Sequence, residues 1–221
     1  MTRELYEKRL REIQDDILIL ASMAEKAVQR SVDALRSRDM ALSQQVVEED
    51  VEINAKRYEI EEKCIHLIAT QQPMAADLRV VVAILFIANE LERIADHAEG
   101  IGRINLMIGE EPLARPLGVI PEMAQKTQEM LRRCIDCFIE RDAEGARRLC
   151  DEDDEIDALY DTNYADVIAH MVKEPDDIQR ATYLLWTGHN LERIADRVTN
   201  ICERVIFMVT GRLQEINVSR Y

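Results

Sequence analysis

The sequence contains few residues that interrupt a helix. It has only seven glycines and five prolines among 221 residues, and three of the prolines lie close together within the segment 109–121. Because proline lacks a backbone N–H and clashes inside a helix, this segment is the one stretch that cannot be regular helix. No competing strand pattern is present. The scarcity of helix breakers therefore predicts an all-α protein with one irregular link near the middle of the chain.

Long apolar runs and basic charge are also scarce. The longest unbroken apolar run, 80–88, is far shorter than the ~20 residues that a membrane-spanning helix needs. The segment 1–8 mixes both charge signs and has no apolar core, which argues against a signal peptide. The formal net charge of -15 disfavours nucleic acid and anionic lipid, and it favours cations or basic partner surfaces. We therefore expect a soluble, cytoplasmic protein that reaches a membrane only through partners.

The common arrangements of catalytic groups are missing as well. There is no glycine-rich phosphate loop. A di-iron carboxylate site requires a histidine three residues after a glutamate, and none of the four histidines has this spacing. The five cysteines are an odd number at helical positions, which favours reduced thiols in the core. Cys134 and Cys137 form the single C-x-x-C spacing, for which a zinc or redox site is the alternative. These absences predict that the protein is not an enzyme.

The most informative feature that is present is a hexapeptide that occurs twice. Leu-Glu-Arg-Ile-Ala-Asp occupies 91–96 and returns at 191–196, each time within a long run of helical periodicity. Within each copy the Glu and the Asp are four residues apart, so they project from one face of the helix. Like charges at this spacing repel by about 0.2–0.5 kcal/mol, so helix stability alone does not favour the pair. The return of the same polar residues in both copies therefore indicates that the Glu and Asp pair binds a ligand.

The rest of the chain repeats together with the hexapeptide. Apolar periodicity predicts six helices, at about 2–36, 40–70, 73 onward, 121–140, 144–172 and 175–210. Pro73 and Pro175 fit first-turn positions of the two helices that carry the hexapeptide. We therefore predict two similar three-helix bundles, 1–109 and 121–221, joined by the linker 110–120.

The second helix of each half also carries a polar pair with a spacing of four residues. Where two neighbouring helices each present such a pair, about four to six oxygen atoms converge, as a hard cation requires. The predicted metal ligands are Asp50, Asn54, Glu92 and Asp96 in the first half and Asp153, Asp157, Glu192 and Asp196 in the second. Oxygen-only chemistry favours magnesium, manganese, calcium or iron over zinc.

Longer segments around the hexapeptides resemble the signatures of a known family. The segments 71–79 and 89–97 are similar to the first-repeat signature of the PhoU family, and 190–201 is similar to its second signature. PhoU proteins are phosphate-transport accessory regulators of bacteria. The resemblance extends over about 5–211 with both signatures in register. It implies six helices in two similar three-helix bundles, in a cytoplasmic protein that is often a homodimer.

The resemblance also implies a function and a set of ligands. PhoU proteins repress the phosphate-starvation response, restrain phosphate uptake, and connect the ATPase subunit of the phosphate ABC transporter with a sensor histidine kinase. Their E(D)xxxD motifs bind iron clusters, magnesium or manganese. The positions here that match these motifs are Glu92, Asp96, Asp153, Asp157, Glu192 and Asp196. Asn54 departs from the acidic residue expected opposite Asp50, which affects the charge of the first cluster.

The residues are compatible with two other functions. Arg93 lies three residues before Asp96, and Arg193 lies three residues before Asp196, so the carboxylates could make only ion pairs in a purely structural scaffold. A metal-dependent phosphoesterase is the other alternative, although the sequence lacks the general base and electrophile that it would need.

Overall fold

The chain folds into long α-helices. The computed structural model describes residues 3–110, 112–113 and 115–216, and these ranges contain no β-strand and no helix apolar enough to span a membrane. The long helices are α1 (Arg3–Ser37), α2 (Met40–Gln71), α3 (Ala76–Ile108), α4 (Ile120–Glu140), α5 (Ala143–Lys173) and α6 (Ile178–Thr210). A short 3-10 helix, Pro175–Asp177, leads directly into α6. The predicted all-α fold is confirmed.

The tight turns within the two halves are built in the same way. Arg38 follows α1 in the left-handed region (φ 59°), and the Asp39 carboxylate then accepts a hydrogen bond from the backbone N–H of Leu42. Arg141 (φ 56°) and Asp142 repeat this arrangement between α4 and α5. An N-cap aspartate satisfies a backbone N–H that the first helical turn leaves unpaired. Each half therefore begins with an antiparallel helix pair.

The two prolines before the motif helices differ in position. Pro175 is the first residue of the 3-10 helix that precedes α6, close to the predicted first-turn position. Pro73 lies in an irregular segment between α2 and α3, so the prediction that it belongs to the first turn of the third helix is wrong. Gln72 and Ala75 have positive φ values of 48° and 50°. This backbone conformation is not helical, and α3 therefore starts only at Ala76.

The helices form two bundles that share one hydrophobic core. α1, α2 and α3 pack on one another, and so do α4, α5 and α6. The predicted linker, 110–120, lies between the two sets except for its last residue, Ile120, which begins α4, and its residues 111 and 114 are outside the described part of the chain. α3 also packs along α6, and a single cluster of buried apolar residues runs through both bundles. The halves are therefore joined through the core as well as through the chain.

Polar side chains cross the interface between α3 and α6 at two equivalent places. Glu90 Oε2 accepts a hydrogen bond from Asn200 Nδ2 at 3.0 Å and lies 3.4 Å from the Nη1 atom of Arg197. His97 Nδ1 and Asn190 Oδ1 are 3.0 Å apart. Positions 90 and 97 of the first half correspond to 190 and 197 of the second. The two helices therefore pack antiparallel, with a pseudo-twofold relation between the halves.

The cysteines contribute to the core. All five are buried, so the prediction that they are small core residues is confirmed. Cys134 Sγ lies 3.3 Å from Cys202 Sγ and also approaches the carbonyl oxygen of Val198. Burial raises the pKa of Cys64 to about 12, which keeps this thiol in its unreactive protonated form.

Ile94→Ala is expected to lower the free energy of unfolding of the whole chain by about 2–5 kcal/mol, since this side chain is fully buried and its removal leaves a cavity. The shared core also predicts that both halves unfold in one transition. Denaturant unfolding followed by circular dichroism checks both points. Asn89→Ala, at an exposed position of α3, is the matched control and should change stability by less than about 0.5 kcal/mol. Two resolved transitions, only one of them shifted by Ile94→Ala, would contradict the single core.

Candidate metal centres

The core-facing residues of α3 and α6 determine where the motif carboxylates lie. Leu91, Ile94 and Ala95 are buried in α3, and the matching residues of α6 are buried in the same way. The residue that follows Leu91 or Leu191 therefore lies at the edge of the buried face. As a result, Glu92 approaches α2 and Glu192 approaches α5.

The second cluster is the more deeply buried of the two. Asp153 on α5 and Glu192 on α6 are 1% and 2% exposed, whereas Asp157 and Asp196 lie nearer the surface. The pKa of Asp153 is raised to about 7, first by burial and then by the charges of Asp157, Asp196 and Glu192. Partial burial and the charges of Glu192 and Asp196 raise the pKa of Asp157 to about 6, although water around this side chain screens part of the repulsion. The structure therefore brings all four predicted residues of this half close enough to repel one another.

Three other side chains border the second cluster. Arg193 Nη1 lies 2.5 Å from Asp196 Oδ2, so the ion pair that the sequence allows does form in this half. His189 Nδ1 is 3.4 Å from Glu192 Oε2, and the Tyr160 ring lies beside the His189 ring with 6.1 Å between centroids. Arg193 offsets the charge of one carboxylate, and the cluster as a whole remains negative.

The first cluster has more of its charge offset by contacts within the protein. Asn54 Nδ2 donates a hydrogen bond to Asp50 Oδ2 at 2.7 Å, and Arg57 Nη2 lies 3.9 Å from Glu92 Oε1. Burial is the largest cause that raises the pKa values of Asp50, Glu92 and Asp96, while the charge of Arg57 lowers those of Glu92 and Asp96. Asp50 is within electrostatic range of Asp96, and Glu92 is within range of both. The structure therefore gathers this predicted set as well.

Arg57 is the neighbour that the sequence reasoning missed. It lies one helical turn after Asn54 on the same side of α2, and it is held by Glu61 and by the ring of Tyr58. The spacing of three residues from Asn54 is the signal that could have revealed it. Arg57 adds a positive charge beside the carboxylates of the first cluster.

Neither cluster is a preformed coordination shell. Among the residues that the structure describes, no three histidine, cysteine, aspartate or glutamate side chains are gathered closely enough to hold one metal ion. The carboxylates are neighbours within electrostatic range, and their side chains would have to change rotamer to share an ion. The donor set of the second cluster, four carboxylates, suits a hard cation. The first set, three carboxylates and an amide beside a guanidinium, suits it less well.

Comparison with known proteins agrees with the duplicated motifs. A family model described as the PhoU domain matches residues 17–104 and 120–205. A phosphate-specific transport system accessory protein PhoU homologue from Clostridium acetobutylicum is 33% identical over 218 residues, which cover 98% of this chain and 100% of that protein. The homologue from Caulobacter vibrioides is 34% identical over 211 residues, which cover 95% of this chain and 92% of that protein.

Solved structures agree in fold along nearly the whole chain. The crystal structure of PhoU from Pseudomonas aeruginosa matches with a TM-score of 0.89 and 32% identity, over 94% of this chain and 100% of that chain. The phosphate transport system regulatory protein PhoU from Streptococcus pneumoniae matches with a TM-score of 0.88 and 29% identity, over 95% and 99%. With one PhoU domain matched in each half and relatives matched from end to end, this chain belongs to the PhoU family.

Proposed function

We propose that this protein is a metal-binding regulator that restrains phosphate uptake and represses the phosphate-starvation response. Its relatives are named accessory proteins of the phosphate-specific transport system, and the Streptococcus pneumoniae structure is described as a phosphate transport system regulatory protein. The observation that carries the metal-binding part is the second cluster, where carboxylates from α5 and α6 repel one another at the edge of the core. Such mutual repulsion supports a cation as the partner of this cluster.

The donor atoms in this proposal are carboxylate oxygens, which iron, manganese, magnesium and calcium accept as ligands. The residues that would hold the ion are Asp153, Asp157, Glu192 and Asp196. A bound ion would supply positive charge that offsets the repulsion among these side chains. The equivalent residues of the first half, with one carboxylate fewer, are Asp50, Asn54, Glu92 and Asp96.

The second part of the proposal is that the protein acts in the cytoplasm as an adaptor. It would connect the ATPase subunit of the phosphate ABC transporter with the sensor histidine kinase, and it would do so as a homodimer, as the PhoU resemblance implies. Two bundles that share one core expose the outer faces of their six long helices, and these faces would be the docking surface. The net charge of -15 favours basic surfaces on these partners.

A structural scaffold without a metal role is the second candidate, because Arg193 and Asp196 already form an ion pair. The two functions differ in how the protein responds to cations. A ligand that binds only the folded state stabilises it by mass action, whereas a scaffold whose carboxylates make only ion pairs gains nothing from the ion.

Mn²⁺ is expected to raise the melting temperature of protein that has been stripped of metal with a chelator. At a free concentration 100 times the dissociation constant, one site adds about 2.7 kcal/mol to the free energy of unfolding. Asp196→Ala should abolish this gain because it removes a ligand, whereas Asp151→Ala, at an exposed position of α5, should keep it. Thermal melts with and without Mn²⁺ measure the effect. A wild-type melt that does not respond to Mn²⁺ would favour the scaffold.

Chelation is expected to weaken capture of both partners by the tagged protein. The pull-down uses cells grown in high phosphate, with and without EDTA, and immunoblots detect the ATPase subunit and the histidine kinase. Without EDTA, Asp196→Ala should recover less of both partners than wild type, and Asp151→Ala should match wild type. If wild type and both variants recover equal amounts of the two partners with and without EDTA, docking does not depend on metal binding.

In the metal-free protein, stability is expected to fall as pH rises from about 4 to about 7. The folded state keeps a proton on Asp153 up to about pH 7, whereas the unfolded chain loses it near the ordinary pKa of aspartate. In this window the folded state therefore binds more protons than the unfolded state. For one such group, each pH unit of increase lowers the free energy of unfolding by about 1.4 kcal/mol. Asp153→Asn removes this titration.

Urea unfolding in EDTA at several pH values measures the effect. The free energy of unfolding of Asp153→Asn should exceed that of wild type by the largest amount near pH 8, and the difference should shrink towards pH 4. Asp151→Asn should show no such trend. A gain that does not depend on pH would contradict the assignment to Asp153.

A further inference from the structure

The two clusters occupy equivalent places, but their second helices differ in charge. The α5 side chains within electrostatic range of the second cluster are Asp153, Asp154, Asp157 and Asp161. The equivalent positions of α2 hold Asp50, Val51, Asn54 and Tyr58. α2 therefore contributes one carboxylate where α5 contributes four. Arg193 forms an ion pair with Asp196, whereas Arg93 lowers the pKa values of Glu92 and Asp96 through its charge, so both clusters have an arginine at this position.

The largest difference is Arg57, whose counterpart on α5 is the uncharged Tyr160. The side chains of Arg57 and Glu92 are only 17% and 14% exposed, and their nearest nitrogen and oxygen atoms are 3.9 Å apart. Arg57 Nη1 also lies 2.7 Å from Glu61 Oε2, and its guanidinium lies 3.8 Å from the centroid of the Tyr58 ring. Attraction between charges grows as water is excluded, so this cation is held firmly beside the cluster.

Asp50 of the first cluster and Glu99, one turn after Asp96 on α3, also have partners within the protein. The Asn54 amide donates to Asp50, and Arg103 Nη2 lies 2.6 Å from Glu99 Oε1. Asp96 is the most exposed member, so water offsets part of its charge. Contacts within the protein therefore offset part of the charge of the first cluster before any external ion arrives.

We propose that Arg57 is the resident cation of the first cluster, and that this protein binds divalent metal ions only at the second. The inference rests on the proposed metal-binding function. A divalent ion among Asp50, Glu92 and Asp96 would lie close to the Arg57 guanidinium and would be repelled by it. Binding would then require Arg57 to leave Glu92 and Tyr58. The second cluster imposes no such requirement at the position of Tyr160.

The duplicated sites consequently have different roles. In the first half, the contact between Arg57 and Glu92 joins α2 to α3 without metal. In the second half, the ion would join α5 to α6, and only this junction would respond to the supply of cations.

Equilibrium dialysis against Mn²⁺, with metal analysis of the retained protein, tests the inference. Glu192→Gln is expected to weaken the affinity for Mn²⁺ at least about tenfold, whereas Glu92→Gln, the same change at the equivalent position, should leave the affinity at the wild-type level. Circular dichroism verifies that each variant is folded.

A gain of binding provides the sharper comparison. The double variant Asn54→Asp with Arg57→Tyr gives α2 the residues that α5 has at these two positions, and it should bind about twice as much Mn²⁺ as wild type. Arg57→Lys, which retains the positive charge, should bind no more than wild type.

The outcomes distinguish a failure of this inference from a failure of the proposed metal-binding function. Loss of Mn²⁺ in Glu92→Gln as well as in Glu192→Gln, or no gain in the double variant, overturns the inference and leaves metal binding in place. A wild-type protein that binds no Mn²⁺ overturns the proposed function, and the inference with it.

Discussion

α3 and α6 pack antiparallel along a continuous apolar interface, and each of them also packs on the other two helices of its own bundle. Because Leu91, Ile94, Leu191 and Ile194 are all withdrawn from water, neither helix can rotate about its axis without exposing apolar surface. This rotation determines where the motif carboxylates lie. Glu92 and Glu192 follow a buried leucine and therefore occupy the edges that meet α2 and α5. The position of both clusters is a consequence of core packing.

Carboxylates at the edge of a core are costly unless something offsets their charge, and the two halves meet this requirement differently. The first half uses the amide of Asn54 and the guanidinium of Arg57. The second half has Asp157 and Tyr160 at these positions and buries Asp153 and Glu192 almost completely. The apolar stripes of the duplicated halves can exchange apolar residues of similar size at small cost, whereas two polar exchanges on one helix change the charge of each cluster.

The shared core also bears on how a regulator of this kind would work. The proposed role as an adaptor needs a surface that keeps its shape while partners dock. The contacts of Glu90 with Arg197 and of His97 with Asn190 hold the halves in register across the pseudo-twofold interface. Cation binding between α5 and α6 would then act on a local helix junction, without movement of one bundle against the other.

Much of the fold could be predicted from the sequence because its causes are local. Helical periodicity predicts each long helix, the Arg-Asp pairs at 38–39 and 141–142 end and restart helices, and spacing alone places Glu192 and Asp196 on one face. Other features depend on residues far apart in the chain, and only the tertiary structure decided them. Positive φ values at Gln72 and Ala75 leave Pro73 outside the helix. Asp153 is buried whereas its counterpart Asp50 is only partly buried, and Arg57 lies beside Glu92. The local sequence determines which helices form and which side chains they carry. The tertiary structure determines which charged groups interact, because it sets the distances between them and excludes water from around them.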